Sequence, residues 1–138
     1  MFFYPINIWA ILVSAVISMA LGFIWYSSKL FGTTWMKLSG ISPTRMKETN
    51  KHMVRLYTGS FVASLVMIYV LAELINLTLV TSIVEGVTLA AMVWLGFVAA
   101  SMVNTVFFEN KSWILFAINS GYYLASLIIA GIILSVWF

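Results

Sequence analysis

Four long stretches of this chain are almost free of charge, and no other feature constrains its folding as much. Residues 6–25 carry no charged side chain, 56–75 carry only Glu73, 83–108 carry only Glu85, and 113–138 carry none. A bilayer core about 30 Å thick is crossed by about 20 apolar residues of helix, and each stretch meets that length. Strands of a membrane barrel are shorter and alternate apolar with polar residues, which these continuous runs do not do. The expected fold class is all-α: an integral membrane four-helix bundle formed by residues 1–138 as one domain. The expected spans lie near 6–25, 56–75, 83–108 and 113–138. Charged residues make up 8% of the chain and hydrophobic ones 63%. A soluble domain carries about 25% charged residues, and disorder needs low hydrophobicity, so both classes are excluded. The chain has no Cys and one His. Disulfides, thiolate metal sites and cysteine nucleophiles are thereby removed, a His-rich metal site or a Ser-His-Asp triad is disfavoured, and no cofactor is expected.

Charge placement gives the orientation. Lys29, Lys37, Arg45, Lys47, Lys51 and Arg55 lie between the first and second spans, and Lys111 lies between the third and fourth. The connection from Asn76 to Ser82 and both terminal tails have no basic side chain. Basic residues stay on the cytoplasmic side, so the first and third loops are expected to be cytoplasmic and both termini outside. The net charge of +3 therefore reports topology, and no nucleic-acid partner is expected. The uncharged tail Met1-Phe2-Phe3-Tyr4-Pro5 lacks the basic leader of a cleaved signal peptide, so the first span reads as a retained helix.

The first loop is the one sizeable polar segment. Phe31, Trp35 and Leu38 recur at helical spacing, and Lys29 and Lys37 can reach anionic head groups while their stems rest on apolar surface. Lys29, Phe31, Trp35 and Lys37 are accordingly expected as interfacial lipid contacts, with Gly40 as a stop. Ser42-Pro43 resembles a helix start, which would let the second helix begin near Pro43 and project below the membrane. Lys47, Lys51 and Arg55, four residues apart, form a basic stripe that reads as a solvated face near anionic lipid.

Helices in lipid associate through small residues. Ser14, Ser18 and Gly22 on the first span, Gly96 and Ala100 on the third, and Ala117, Gly121 and Ala125 on the fourth are the expected packing positions. Three such ridges favour a tight bundle and a homo-oligomer.

Polar groups inside a membrane are the default functional candidates. Ser82 and Glu85 fit a capping box, which gives Glu85 a structural explanation. Glu73 has no basic partner on that side; the plainer reading is that it reaches the outer interface beside Asn76, and the alternative is a candidate ion or proton site formed with Glu85 across the same hairpin. Glu109 has Lys111 beside it. At about 1.5 Å per residue, Asn104 lies about 7 Å inside the third span and Asn119 about 10 Å inside the fourth. With Tyr26 and Tyr122 they form a candidate polar pocket open to the cytoplasmic side; interhelical hydrogen bonding is the plainer reading. The sequons Asn76-Leu77-Thr78 and Asn110-Lys111-Ser112 are discounted, one tight against the membrane and one cytoplasmic.

Two segments carry a family resemblance. Trp25-Tyr26-Ser27, Leu30-Phe31-Gly32 and Trp35-Met36-Lys37, followed much later by Phe108-Glu109 and Ile118-Asn119-Ser120-Gly121-Tyr122, resemble a bacterial membrane family of unknown function, domain-of-unknown-function family 1761. Ser28 stands where many members carry Pro. The resemblance implies the four-helix architecture and a bacterial inner-membrane location, and it draws attention to Trp25, Tyr26, Gly32, Trp35, Asn119 and Tyr122. It implies no activity. With no catalytic constellation in view, the leading expectation is a non-enzymatic, homo-oligomeric bundle with a structural or lipid-associated role. A small transporter or channel using Glu73 or the polar pocket is the alternative. Small multidrug exporters share the size but carry a carboxylate within the first helix, absent here. A glutathione-linked four-helix enzyme ranks last, because its Glu, Arg and Asn motif is missing from the second span.

Overall fold

The computed structural model describes residues 5–137, except for the side chains at positions 43, 46, 49 and 50. The tail before Pro5, and the last residue of the expected fourth span, lie outside these described residues. The chain forms α1 (Ile8–Trp25), α2 (Gly32–Ser39), α3 (Pro43–Asn50), α4 (Met53–Leu77), α5 (Ile83–Glu109) and α6 (Trp113–Val136). Among the described residues there is no strand. α1, α4, α5 and α6 are each long and apolar enough to cross a membrane, which is the build of a multi-pass membrane protein. α2 and α3 occupy the connection between α1 and α4, at what is called here the loop end.

Side chains and special backbone angles account for the helix ends. Asn7 Oδ1 accepts the N–H groups of Trp9 and Ala10 at 3.0 and 3.3 Å, satisfying two donors that the first turn leaves free. Ser82 Oγ accepts the Glu85 N–H at 3.2 Å. The Glu85 carboxylate reaches back to the N–H of Thr81 at 2.7 Å and its hydroxyl at 3.2 Å, one residue further than the expected box. Gly40 and Asn110 end α2 and α5 in the left-handed region, at φ 72° and 54°, a conformation that glycine and asparagine tolerate best. A helix does start at Pro43, but it stops at Asn50, and a turn at Lys51-His52 separates it from α4.

α6 is the hub of the bundle. It packs against α5, α1 and α4, while α1 also packs against α4. Its closest approach is to α5. A Cβ placed on Gly86 would collide with Ser135 Oγ and sit 2.8 Å from the Gly131 carbonyl; one on Gly131 would sit 2.9 Å from the Gly86 carbonyl. Ala90 and Ala130 are fully buried beside this crossing. The Trp94 indole N–H ties the same pair of helices by donating to the Ser120 carbonyl at 2.7 Å.

This result revises part of the expected packing. Ser14 and Ser18 are buried as expected, and Gly22 and Gly121 receive the phenol of Tyr122 and the indole of Trp25 at 3.2 Å from a would-be Cβ. Ala125 is half-buried, whereas Gly96, Ala100 and Ala117 are exposed. At about 100° per residue, Gly96 stands about 120° round α5 from the inward Ala90, and α5 also contains a π-helical stretch at Trp94–Ala99. A π turn holds one residue more than an α turn, so every residue beyond it is rotated by about 100° from the phase of a regular helix. The inward positions after Ala90 become Trp94, Val98, Ala99, Met102 and Val106. A regular helix would have turned Phe97, Ser101 and Asn104 inward.

Packing is tight at one end and loose at the other. The buried residues of α1 run from Ala10 to Ser18, and those of α4 from Ile68 to Ile75, all toward the end opposite the loop. Residues 53–60 of α4 are all exposed. α4 therefore diverges from its neighbours as it nears the loop end.

Candidate functional site: a tyrosine-lined cavity at the loop end

The divergence of α4 leaves a half-open cavity of about 490 Å³ between α1, α4 and α6. Tyr26, Tyr122 and Tyr123 form one wall; Tyr57, Ser60 and Ser64 of α4 form the other. Gly22 makes room for Tyr122, whose hydroxyl donates to the Ser18 carbonyl at 2.8 Å. An edge-to-face contact between Phe23 and Tyr57, centroids 5.1 Å apart, joins the two walls. No charged side chain lines the cavity.

The fixed wall is held by residues distant in sequence. The Trp25 indole N–H donates to the Ile118 carbonyl at 2.9 Å, and the Tyr26 hydroxyl donates to Asn119 Oδ1 at 2.8 Å. Trp25 packs on Phe31 and Tyr26 on Trp35, with centroids 4.9 and 5.8 Å apart. The chain then closes tightly on itself: the N–H of Phe31 reaches the Trp25 carbonyl at 3.1 Å, and that of Gly32 reaches the Ser27 carbonyl at 2.9 Å. A Cβ at Gly32 would collide with the Tyr26 carbonyl, so only glycine fits there. The two sequence segments that carried the resemblance thus meet in one cluster, which clamps α2 to the ends of α1 and α6. Burial, with Tyr123 and Tyr122 adding to it, pushes the Tyr26 phenol well above its usual pKa. Tyr26 therefore remains a neutral donor to Asn119.

Of the four residues proposed for a polar pocket, Tyr26 and Tyr122 line the cavity, and Asn119 stands behind Tyr26 as its hydrogen-bond acceptor. Asn104 is not with them. It lies exposed on α5, turned away by the π-helical stretch. Of the expected lipid contacts, Lys29 and Lys37 are exposed, but Phe31 and Trp35 spend one ring face on Trp25 and Tyr26. Glu73 Oε1 accepts the Tyr69 hydroxyl at 2.8 Å while Oε2 has no partner. Glu85 is engaged at the start of α5, and no contact joins the two carboxylates. Among the described residues, no group of three or more His, Cys, Asp or Glu is placed to hold a metal.

Tyr57, Ser60 and Tyr123 stand in the sequence at depths similar to Asn104 and Asn119 but were not placed in the four-residue pocket, and Ser64 reads there as an ordinary feature of a membrane helix. A second, open concavity of about 610 Å³ lies beside the cavity and is lined by Arg45, Glu48, Lys51, His52, Arg55 and Leu56. Leu56 and Ser60, one turn apart on α4, belong to the basic concavity and the tyrosine-lined one respectively.

The chain matches the family described as a protein of unknown function (DUF1761) over residues 9–135, and it belongs to that family. No curated protein and no solved structure matches it.

Proposed function

We propose that this member of a family without an assigned activity is a non-enzymatic, lipid-associated membrane protein that holds an amphiphile in the cavity between α1, α4 and α6. The observation that carries the reading is the adjacency of two unlike concavities along α4: one aromatic and uncharged, the other basic. An apolar body fits the first, where its burial is favourable at about 25 cal/mol per Å² of apolar surface. Anionic head groups of the surrounding leaflet fit the second. In this reading the loop end faces the cytoplasm, as basic residues do, and the membrane is a bacterial inner membrane. Gly96 has nothing of its own chain within 4 Å of a would-be Cβ. Together with the exposed Ala100, it offers a surface for a second copy in a homo-oligomer.

The test is native mass spectrometry of the protein extracted from its membrane. Wild type is expected to retain an amphiphile adduct as detergent is stripped. Ala63→Trp, which fills the cavity from an exposed position, is expected to lose it while keeping its helical content. Identical adducts on both proteins, or none on wild type, would refute the reading.

A further inference from the structure

Several Ser and Thr hydroxyls on the spanning helices bond to their own helix. Ser14, Ser101, Ser120, Ser135, Thr78 and Thr88 each return their proton to a carbonyl one turn back, at 2.5 to 2.8 Å. This is how a hydroxyl satisfies itself in a helix that has no water beside it. Ser60 and Ser64 do not do so, although the same carbonyls lie one turn behind them. Neither forms a hydrogen bond, and nor do the hydroxyls of Tyr57 and Tyr123. All four line the cavity, with Tyr57, Ser60 and Ser64 on the α4 wall and Tyr123 on the wall opposite. Ser18, whose carbonyl accepts the Tyr122 hydroxyl, has a buried Oγ without a hydrogen bond as well, although it does not line the cavity. Hydroxyls without a partner are costly where no water reaches them, and Tyr57, Ser60, Ser64 and Tyr123 share one cavity.

The lining also sets the charge of what can enter. No Lys, Arg, Asp or Glu faces the space, so an anion or cation buried there would lack a counter-charge. The basic residues of the neighbouring concavity disfavour a cation at the mouth as well. The donors available are hydroxyl protons, and the rings of Tyr26, Phe23, Tyr57 and Tyr122 offer flat apolar faces.

We infer that the cavity takes an uncharged amphiphile whose polar part carries carbonyl oxygens, which accept from Ser60, Ser64, Tyr57 and Tyr123, while its tail runs into the surrounding lipid. This rests on the amphiphile reading above and adds the chemistry of the buried polar part. Two membrane sources share that chemistry: the dione ring of a prenylated quinone and the ester linkages of a neutral glycerolipid.

The experiment uses the full chain in detergent and three probes of similar apolar size, a decyl-substituted benzoquinone, dioctanoylglycerol and decylbenzene. Binding is followed by quenching of tryptophan fluorescence for the quinone and by adduct retention in native mass spectrometry for all three. At least one carbonyl-bearing probe is expected to bind about 10-fold or more tightly than decylbenzene, and whichever does so identifies the source. The Ser60→Ala/Ser64→Ala variant alters two exposed or half-buried positions and leaves the core untouched. It is expected to weaken that probe about 3- to 10-fold per hydroxyl and to leave decylbenzene unchanged. Equal binding of decylbenzene and both carbonyl probes would overturn the inference and leave the amphiphile reading standing. Binding of no probe at all would overturn both. A preference for carbonyl probes that survives intact in the double serine variant would remove Ser60 and Ser64 from the site and overturn the assignment of donors.

Discussion

Replacing Gly86 or Gly96 by alanine makes the same chemical change on the same helix, so comparing the two isolates what the α5–α6 crossing contributes. Alanine in place of glycine favours a helix by about 1 kcal/mol, and that gain is common to both. At Gly96 the new methyl meets nothing within 4 Å, so the gain stands and Gly96→Ala is expected to be neutral to slightly stabilising. At Gly86 the methyl collides with Ser135 Oγ and lies 2.8 Å from the Gly131 carbonyl, where 3.4 Å is the lower edge of an ordinary contact. The hydroxyl can rotate away, but the carbonyl is part of a helix backbone, so α5 and α6 must part locally by about 0.6 Å, the difference between those two distances. Overpacking of this kind costs about 1–3 kcal/mol, which exceeds the propensity gain. The difference between the two variants should therefore be about 1–3 kcal/mol, with Gly86→Ala the less stable. Reversible unfolding in mixed micelles of rising denaturing-detergent fraction, followed by helical circular dichroism, measures it. Adding Ser135→Ala should recover part of the loss and not all, because the carbonyl remains. Equal stability of the two single variants within about 0.5 kcal/mol would refute the close crossing.

Gly32→Ala places a methyl against the Tyr26 and Ser27 carbonyls, so it should cost about 1–3 kcal/mol and raise the accessibility of Trp35 to acrylamide quenching. Tyr26→Phe removes the hydroxyl that bonds Asn119. It should cost about 0.5–1.5 kcal/mol, and in a double-mutant cycle with Asn119→Leu the two losses should not add. Leu79→Cys, at an exposed position opposite the loop end, should be labelled by an impermeant thiol reagent added outside intact cells, and Gly40→Cys should not; the reverse pattern would invert the proposed orientation. In nanodiscs, mass measurement should give two or more times 15.5 kDa for wild type, shifting toward one copy in Gly96→Phe.

The four spans were legible in the sequence because bilayer thickness sets a length that composition cannot disguise. α1, α4, α5 and α6 differ from the expected ranges by a few residues at their ends. The Gly40 stop and the Ser82 cap were legible because a left-handed angle and a free N–H each favour few residue types. What escaped was phase. The expectation that Asn104 faces Asn119 assumed an unbroken α-helix from residue 83 to 108, and nothing in Trp94-Leu95-Gly96-Phe97-Val98-Ala99 announces the wider turn. Gly96 and Ala100 lie outside as well, while the pair that does form the crossing, Gly86 and Gly131, has equally suggestive spacing to Ala90 and Ser135. Small-residue patterns identify possible grooves, but which groove is used depends on the rotation of each helix about its axis. The link of Trp25 to Ile118, and of Tyr26 to Asn119, was not readable as contact, although both segments stood out as motifs. The cavity itself comes from the angle between α4 and its neighbours, a property of no single residue.

That angle makes α4 a lever. Its fully buried anchorage begins at Ile68, and from there to Tyr57 the helix runs about 16 Å, with Leu65 and Phe61 packed partly against the core and the Phe23–Tyr57 ring pair at its far end. A tilt of about 10° about the anchorage moves Tyr57 by about 3 Å, nearly the thickness of an aromatic ring. Aperture is thus geared to the slope of one rod. Slope is also the variable through which a bilayer acts on a long helix, since a thinner hydrocarbon layer favours greater tilt. Spin labels at positions 57 and 123, measured in bilayers of short and long acyl chains, would read the gearing directly as a change in their separation.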